Sequence, residues 1–219
     1  GSLLVLGMPM GMYSLYLEKE RDRSEQLLHN IMPKAIADRL KKTNETISID
    51  NPEISVLFAD IVNFTVMSEK LSAENIVGFL DDMFSKFDEL TEKYEVEKIK
   101  TIGDAYMVVT GLTSENRSHA SILFEFGQEL LKIASNYKDH KGEPITLRIG
   151  INSGPAVSGV IGKSKFSFDI WGDTINTAAR LESYGVPSRI HMSEKTFELI
   201  NQNIEHQKKT IEIKGKGLI

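Results

Sequence analysis

The chain has 219 residues, enough for one domain of ordinary size with an appendage but short for two. A hydrophobic share of 41% and a charged share of 26% are those of a folded globular protein and exclude a disordered one. A net charge of −5 argues against a broad nucleic-acid-binding face, and the absence of cysteine excludes disulfides and thiolate metal sites.

Gly1 and Ser2 read as a cloning remnant and are set aside. Leu3 to Tyr16 is apolar but interrupted by Gly7, Pro9 and Gly11. It falls short of the roughly 20 residues that a membrane-spanning helix takes. Two readings stay open: the cytoplasmic end of a cut membrane helix, which would tether the parent protein, or a leader without structure of its own.

Leu17 to Leu28, LEKERDRSEQLL, is charge-rich and reads as helix. Leu17, Ser24 and Ile31 fall seven apart with Leu27 and Leu28 beside them, a short coiled-coil seam. Pro33 starts a second short amphipathic helix, PKAIADRLKK, with Ile36 and Leu40 on one face. The polar stretch from Thr43 to Asn51 marks the domain boundary. Residues 1–43 are therefore expected to be a linker and connector helix, and 44–219 the globular domain.

Beyond the boundary the periodicity changes. Ile54 to Phe58 predicts a short buried strand, and Ser72 to Tyr94 a helix with Ile76, Leu80, Met83, Phe84 and Phe87 on its apolar stripe. Val96–Ile102 and Ala105–Val109 predict two strands joined by a tight Gly103-Asp104 turn. A helix over Ser118–Ile133 and a strand over Ile145–Ile151 follow. This order predicts an α+β fold with a ferredoxin-like βαββαβ core. A further hairpin around Gly154–Phe168 and a helix over Thr174–Ser183 extend it.

Asp60 directly follows the apolar strand SVLFA, and Asp104 sits in the hairpin turn. The first strand and that hairpin are central neighbours in such a sheet, so the two carboxylates can emerge side by side. Paired carboxylates suit two hard divalent cations when a triphosphate supplies further oxygens. Taken singly, each aspartate is more simply a turn former. Asp60-Ile61-Val62-Asn63-Phe64-Thr65 runs from a strand into a helix start, where free backbone N–H groups can hold phosphate. The Walker signature GxxxxGK[ST] is absent.

Four segments then carry a resemblance: SVLFADIVNFT, EKIKTIGDAYMVVTG, LRIGINSGPAVSGVIG and FDIWGDTINTAARLES, in this order. Together they resemble the catalytic domain of class III adenylyl and guanylyl cyclases from about Glu53 to Gly217. The preceding LLHNIMPKAIADRLK is similar to the connector helix found upstream of many such domains.

The resemblance implies a role for each matching position. Asp60 and Asp104 match the metal-binding aspartates, with Ile61 beside them, and the metals implied are two Mg²⁺ or Mn²⁺ ions. Lys100 and Asp169 match the pair that reads the adenine ring, Asn176 the asparagine that positions the ribose, and Arg180 the arginine at the α-phosphate. Arg148 and Lys214 resemble phosphate contacts, with Lys216 an alternative to Lys214, and Phe64 and Thr65 fall in the phosphate-binding turn. Lys donates only and ionised Asp accepts only, which fits adenine and opposes guanine.

The activity implied is conversion of ATP to 3′,5′-cyclic AMP and pyrophosphate, in the cytoplasm, by a homodimer whose sites draw on both subunits. Three alternatives remain. The first is a guanylate or relaxed-specificity cyclase, which MVVTG and the WGDTINTAARLES stretch also suit. The second is a catalytically silent nucleotide-binding module, and the third, a diguanylate cyclase, lacks its GGDEF-like loop. The chain departs from the family pattern by ending at Ile219, where a further strand is usual, and that bears on Lys214. His29, His119, His140, His191 and His206 show no ligand spacing and read as surface or structural. Trp171, Phe168 and Phe64 read as core.

Overall fold

A computed structural model describes residues 10–29, 31–42, 47–112, 118–162, 166–200, 204–213 and 217–218. The chain divides into two compact units, 1–47 with 159–168, and 48–158 with 169–219.

In the first unit, α1 (Met10–His29) covers the predicted charge-rich helix. It ends before Ile31, which lies in the following turn, so the heptad seam loses its last position. Leu17 and Leu27 are exposed, at 49% and 60%. A second helix, α2 (Lys34–Leu40), starts after Pro33, whose fixed φ and missing N–H suit a helix entrance. Lys41 Nζ reaches Glu25 Oε1 at 3.1 Å and ties the end of α2 to α1. Met32, Ile36, Ala37 and Ile47 are buried, and the Val160 N–H donates to the Ile47 carbonyl at 3.0 Å. Among the described residues no helix is long and apolar enough to cross a membrane.

The second unit is built on β1 (Ser48–Ile61), longer than the five-residue strand expected. Its chain continues through α3 (Phe64–Ser68) and α4 (Ala73–Tyr94), which is capped by Ser72 accepting from the Asn75 N–H at 3.2 Å. β2 (Glu97–Ile102) and β3 (Ala105–Thr110) form the hairpin, with Gly103 at φ +63° making the left-handed turn that side chains resist. There follow α5 (His119–Ser135), β4 (Leu147–Ile161), β5 (Ser167–Trp171) and α6 (Asp173–Ser183). β6 (Arg189–Met192), α7 (Glu194–Leu199), β7 (Glu212–Ile213) and β8 (Gly217–Leu218) complete the chain.

The main sheet runs β2-β3-β1-β4-β5, with β6 pairing parallel to β4. Its first four strands are in the ferredoxin-like order that the element sequence predicts. β1 and β3 pair antiparallel with Ala59 opposite Tyr106, which carries Asp60 toward the β2–β3 turn. Met83 and Phe87 of α4 and Leu123, Phe126 and Leu130 of α5 pack with Leu57, Tyr106, Leu147, Ile149 and Ile151 of the sheet. Each of these residues is at most 1% exposed, so this layer of helices over one sheet face supplies most of the unit's apolar burial.

Candidate active site

Asp60 lies at the last turn of the pleat in β1, and Asp104 lies in the β2–β3 turn. The two side chains interact, and the Asp104 carboxyl is pushed up to about 6. Burial is the largest cause, and the Asp60 charge comes next. The backbone N–H groups of Asp104 and Ile61 oppose the rise by bonding the charged form.

All donors here are oxygens, as hard divalent cations require. Among the described residues no group of three or more His, Cys, Asp or Glu side chains could enclose a metal. The pair therefore fits a metal site only as an open one, completed by ligand oxygens.

Arg148, from β4, spans two carboxylates. Its Nη2 donates to Asp60 Oδ2 at 2.7 Å and its Nε to Glu182 Oε1 at 3.1 Å. Glu182 stands near the end of α6, is 8% exposed, and has its carboxyl pushed up by burial first and the Asp60 charge second, against the pull of Arg148. It is the residue that sequence reasoning missed. The signal was thin: a glutamate among Thr174, Thr177, Ala178 and Leu181 on the buried face of an amphipathic helix.

Lys100 of β2 and Asp169 of β5 form an ion pair. Asp169 is the more enclosed of the two, and its Oδ1 also accepts from the Ile170 N–H at 2.9 Å. Asn176 and Arg180 lie one turn apart on α6, Asn176 exposed and Arg180 half-buried. Phe64 and Thr65 open α3, Thr65 exposed and Phe64 packed partly into the core. Lys214 and Lys216 lie outside the described residues.

Trp171 differs from the core position expected of it. It is 39% exposed and, with Asp50, Asn51, Pro52, Ala156 and Val157, lines a cavity of about 340 Å³. Gly172, which follows it, sits at φ +141° and turns the chain sharply into α6. Phe168 is buried, as expected. His119 is also buried, with Nδ1 2.7 Å from Ser55 Oγ.

From residue 48 to 219 the sequence matches the family described as adenylate and guanylate cyclase catalytic domain. It is 40% identical over 205 residues to an adenylate cyclase of Mycobacterium tuberculosis, covering 93% of this chain and 46% of that protein. It is 39% identical over 213 residues to receptor-type guanylate cyclase gcy-5 of Caenorhabditis elegans, covering 93% of this chain and 19% of that protein. The chain thus spans less than half the length of these relatives. Its structure is similar to the catalytic core of a rhodopsin-guanylyl cyclase with converted specificity in complex with ATPαS. The TM-score is 0.73 and the identity 36%, over 80% of this chain and 95% of that one.

Proposed function

The chain belongs to the family of adenylate and guanylate cyclase catalytic domains, and on that premise we propose that it converts ATP to 3′,5′-cyclic AMP and pyrophosphate as a homodimer. The Lys100–Asp169 pair carries the choice of base. Adenine offers an acceptor at N1 and a donor at its exocyclic amine, and a lysine and an aspartate complement both. Guanine presents the reverse, so each mismatch would leave a buried polar group unpaired at about 1–3 kcal/mol. Guanylate cyclases are nearly as similar overall, so the assignment rests on these two side chains rather than on general likeness.

In the proposed reaction the ribose 3′ oxygen attacks the α-phosphorus in line. The O3′–P bond forms, the bond from that phosphorus to the bridging oxygen of the β-phosphate breaks, and the 3′ proton leaves to solvent. Asp60 and Asp104, with the Ile61 backbone, would hold two divalent cations, which would make the 3′ hydroxyl more acidic and offset the charge of the triphosphate. Asn176 would orient the ribose and Arg180 would face the charge that develops on the α-phosphate. Arg148, Lys214 and the backbone N–H groups of Phe64 and Thr65 would hold the outer phosphates.

Asp60 and Asp104 of one subunit would work with Lys100, Asp169, Asn176 and Arg180 of the other, giving two equivalent sites. Residues 1–43 would act as a connector that sets the subunit angle, with the catalytic part in the cytoplasm. The test is product identity: ATP and GTP are supplied separately with Mn²⁺, and cyclic nucleotide is resolved chromatographically. Cyclic AMP from ATP, with little cyclic GMP from GTP, is expected. Cyclic GMP as the main product would overturn the base assignment, and no product from a folded dimer would overturn the cyclase activity.

A further inference from the structure

We infer that Glu182 is a positioning residue for the metal site, acting through Arg148 rather than by touching metal or nucleotide. This rests on the reading of Asp60 and Asp104 as metal ligands.

Three observations carry it. First, Arg148 is shared. One edge of its guanidinium is on Asp60 Oδ2 at 2.7 Å and another on Glu182 Oε1 at 3.1 Å. Second, Glu182 is itself held, because its second oxygen, Oε2, accepts from Ser183 Oγ at 3.2 Å. Third, the backbone is built to bring Glu182 there. Arg148 and Gly150 lie two apart on β4 and so share a face of the sheet. A side chain at Gly150 would put its Cβ 2.2 Å from the Glu182 backbone nitrogen and 2.8 Å from its Cα. Gly185 closes the other side, where a Cβ would lie 2.6 Å from the Glu182 carbonyl oxygen and 3.5 Å from the Arg148 Cβ. Two glycines thus let the end of α6 sit against β4 at the point where Arg148 leaves the strand.

The consequence is electrostatic. Arg148 is the present counter-charge of Asp60, so a cation arriving at Asp60 must displace it. Once displaced, the guanidinium stays beside a divalent cation, and it needs another negative partner. Glu182 is that partner, and because it already grips Nε it keeps the freed end of the fork facing the site. Without the Glu182 charge, Arg148 has only Asp60 to pair with and competes harder with the cation. Partners of metal ligands commonly act in this way, and their loss weakens metal binding by about tenfold or more.

The test is Mn²⁺ binding alone, without nucleotide, read from the loss of the free-ion electron paramagnetic resonance signal in the intact chain. Glu182→Gln is nearly isosteric and is expected to raise the Mn²⁺ dissociation constant by about tenfold. Glu182→Asp, which keeps the charge, should recover most of the affinity. In an Arg148→Met background the Glu182→Gln change should have no further effect, because its route has been removed. If Glu182→Gln does not fold, as judged by its unfolding midpoint, Arg148→Lys is the second variant. An ammonium cannot span both carboxylates as the planar fork does, so the dissociation constant is expected to change, and an unchanged value would count against the shared fork.

Asp60→Ala separates the two levels of the claim. Unchanged Mn²⁺ binding in Asp60→Ala would overturn the metal site itself. Loss in Asp60→Ala with normal binding in Glu182→Gln would overturn the positioning role alone. So would a Glu182→Gln effect that persists undiminished in the Arg148→Met background, since Glu182 would then act directly by charge.

Discussion

Lys100 and Asp169 stand on β2 and β5, the two ends of the strand order, yet they form an ion pair with each other. A donor-only and an acceptor-only side chain are thereby held at one place. Exchanging both polarities should exchange the base. Lys100→Glu combined with Asp169→Cys is expected to lower kcat/KM for ATP by about tenfold or more and to raise that for GTP. Product formation from each nucleotide checks this. The single variants should lose ATP activity without gaining GTP activity, since each corrects only one of two polarities.

The Asp104 carboxyl gives a pH dependence whose sign follows from its raised value. Its ordinary value is 3.8 and in the fold it is pushed up to about 6, by burial and by the neighbouring Asp60 charge. Between those values the folded chain holds a proton that the unfolded chain releases. The contribution to stability is complete below pH 3.8 and is lost as pH rises through 6. Urea unfolding of the metal-free protein from pH 4 to 7 should therefore show this part of the stability falling, and Asp104→Asn should remove it. Metal binding runs the other way, because a proton on Asp104 competes with the cation, so Mn²⁺ affinity should drop as pH falls below 6.

Gly150 and Gly78 make a matched pair of stability predictions. A Cβ at Gly150 would lie 2.2 Å from the Glu182 nitrogen and 2.4 Å from the Ala178 carbonyl oxygen, both of them backbone that cannot swing aside. Gly150→Ala should cost about 3 kcal/mol or more and abolish activity, because α6 carries Asn176 and Arg180. Gly78 is exposed inside α4, with nothing within 4 Å of an added Cβ. Gly78→Ala should raise stability by about 0.5–1 kcal/mol through helix propensity, with activity unchanged. Thermal or urea unfolding reads both.

Much of this arrangement was legible in the sequence because it is local. Asp60 follows an apolar run, Asp104 follows the glycine of a tight turn, and Asn176 and Arg180 share a helical face; each is a short-range pattern. What escaped was set by long-range partners. β1 begins at Ser48 rather than Ile54 although Asp50, Asn51 and Pro52 break its apolar run. Asn51 is buried there because its Nδ2 donates to the Ala156 carbonyl at 3.4 Å and to Ser158 Oγ at 2.9 Å, on a strand more than a hundred residues later. Glu182 escaped for the same reason, since its meaning lies in Arg148, 34 residues earlier. Trp171 misled because a large aromatic ring between apolar neighbours reads as core, whereas the turn at Gly172 leaves it on the wall of a cavity.

The central claim is that two copies of this chain build each site and make cyclic AMP there. Asp60→Ala and Arg180→Ala should each be inactive alone, one lacking a metal ligand and the other the arginine at the α-phosphate. When the two purified variants are mixed in equal amounts and allowed to exchange subunits, half of the dimers will be mixed. Each mixed dimer will hold one complete site, with Asp60 from one subunit and Arg180 from the other. Cyclic AMP formation from ATP should then return to about a quarter of the wild-type rate. If the mixture stays as inactive as its parts while mixed dimers are demonstrably present, the site is not shared between subunits and the account fails.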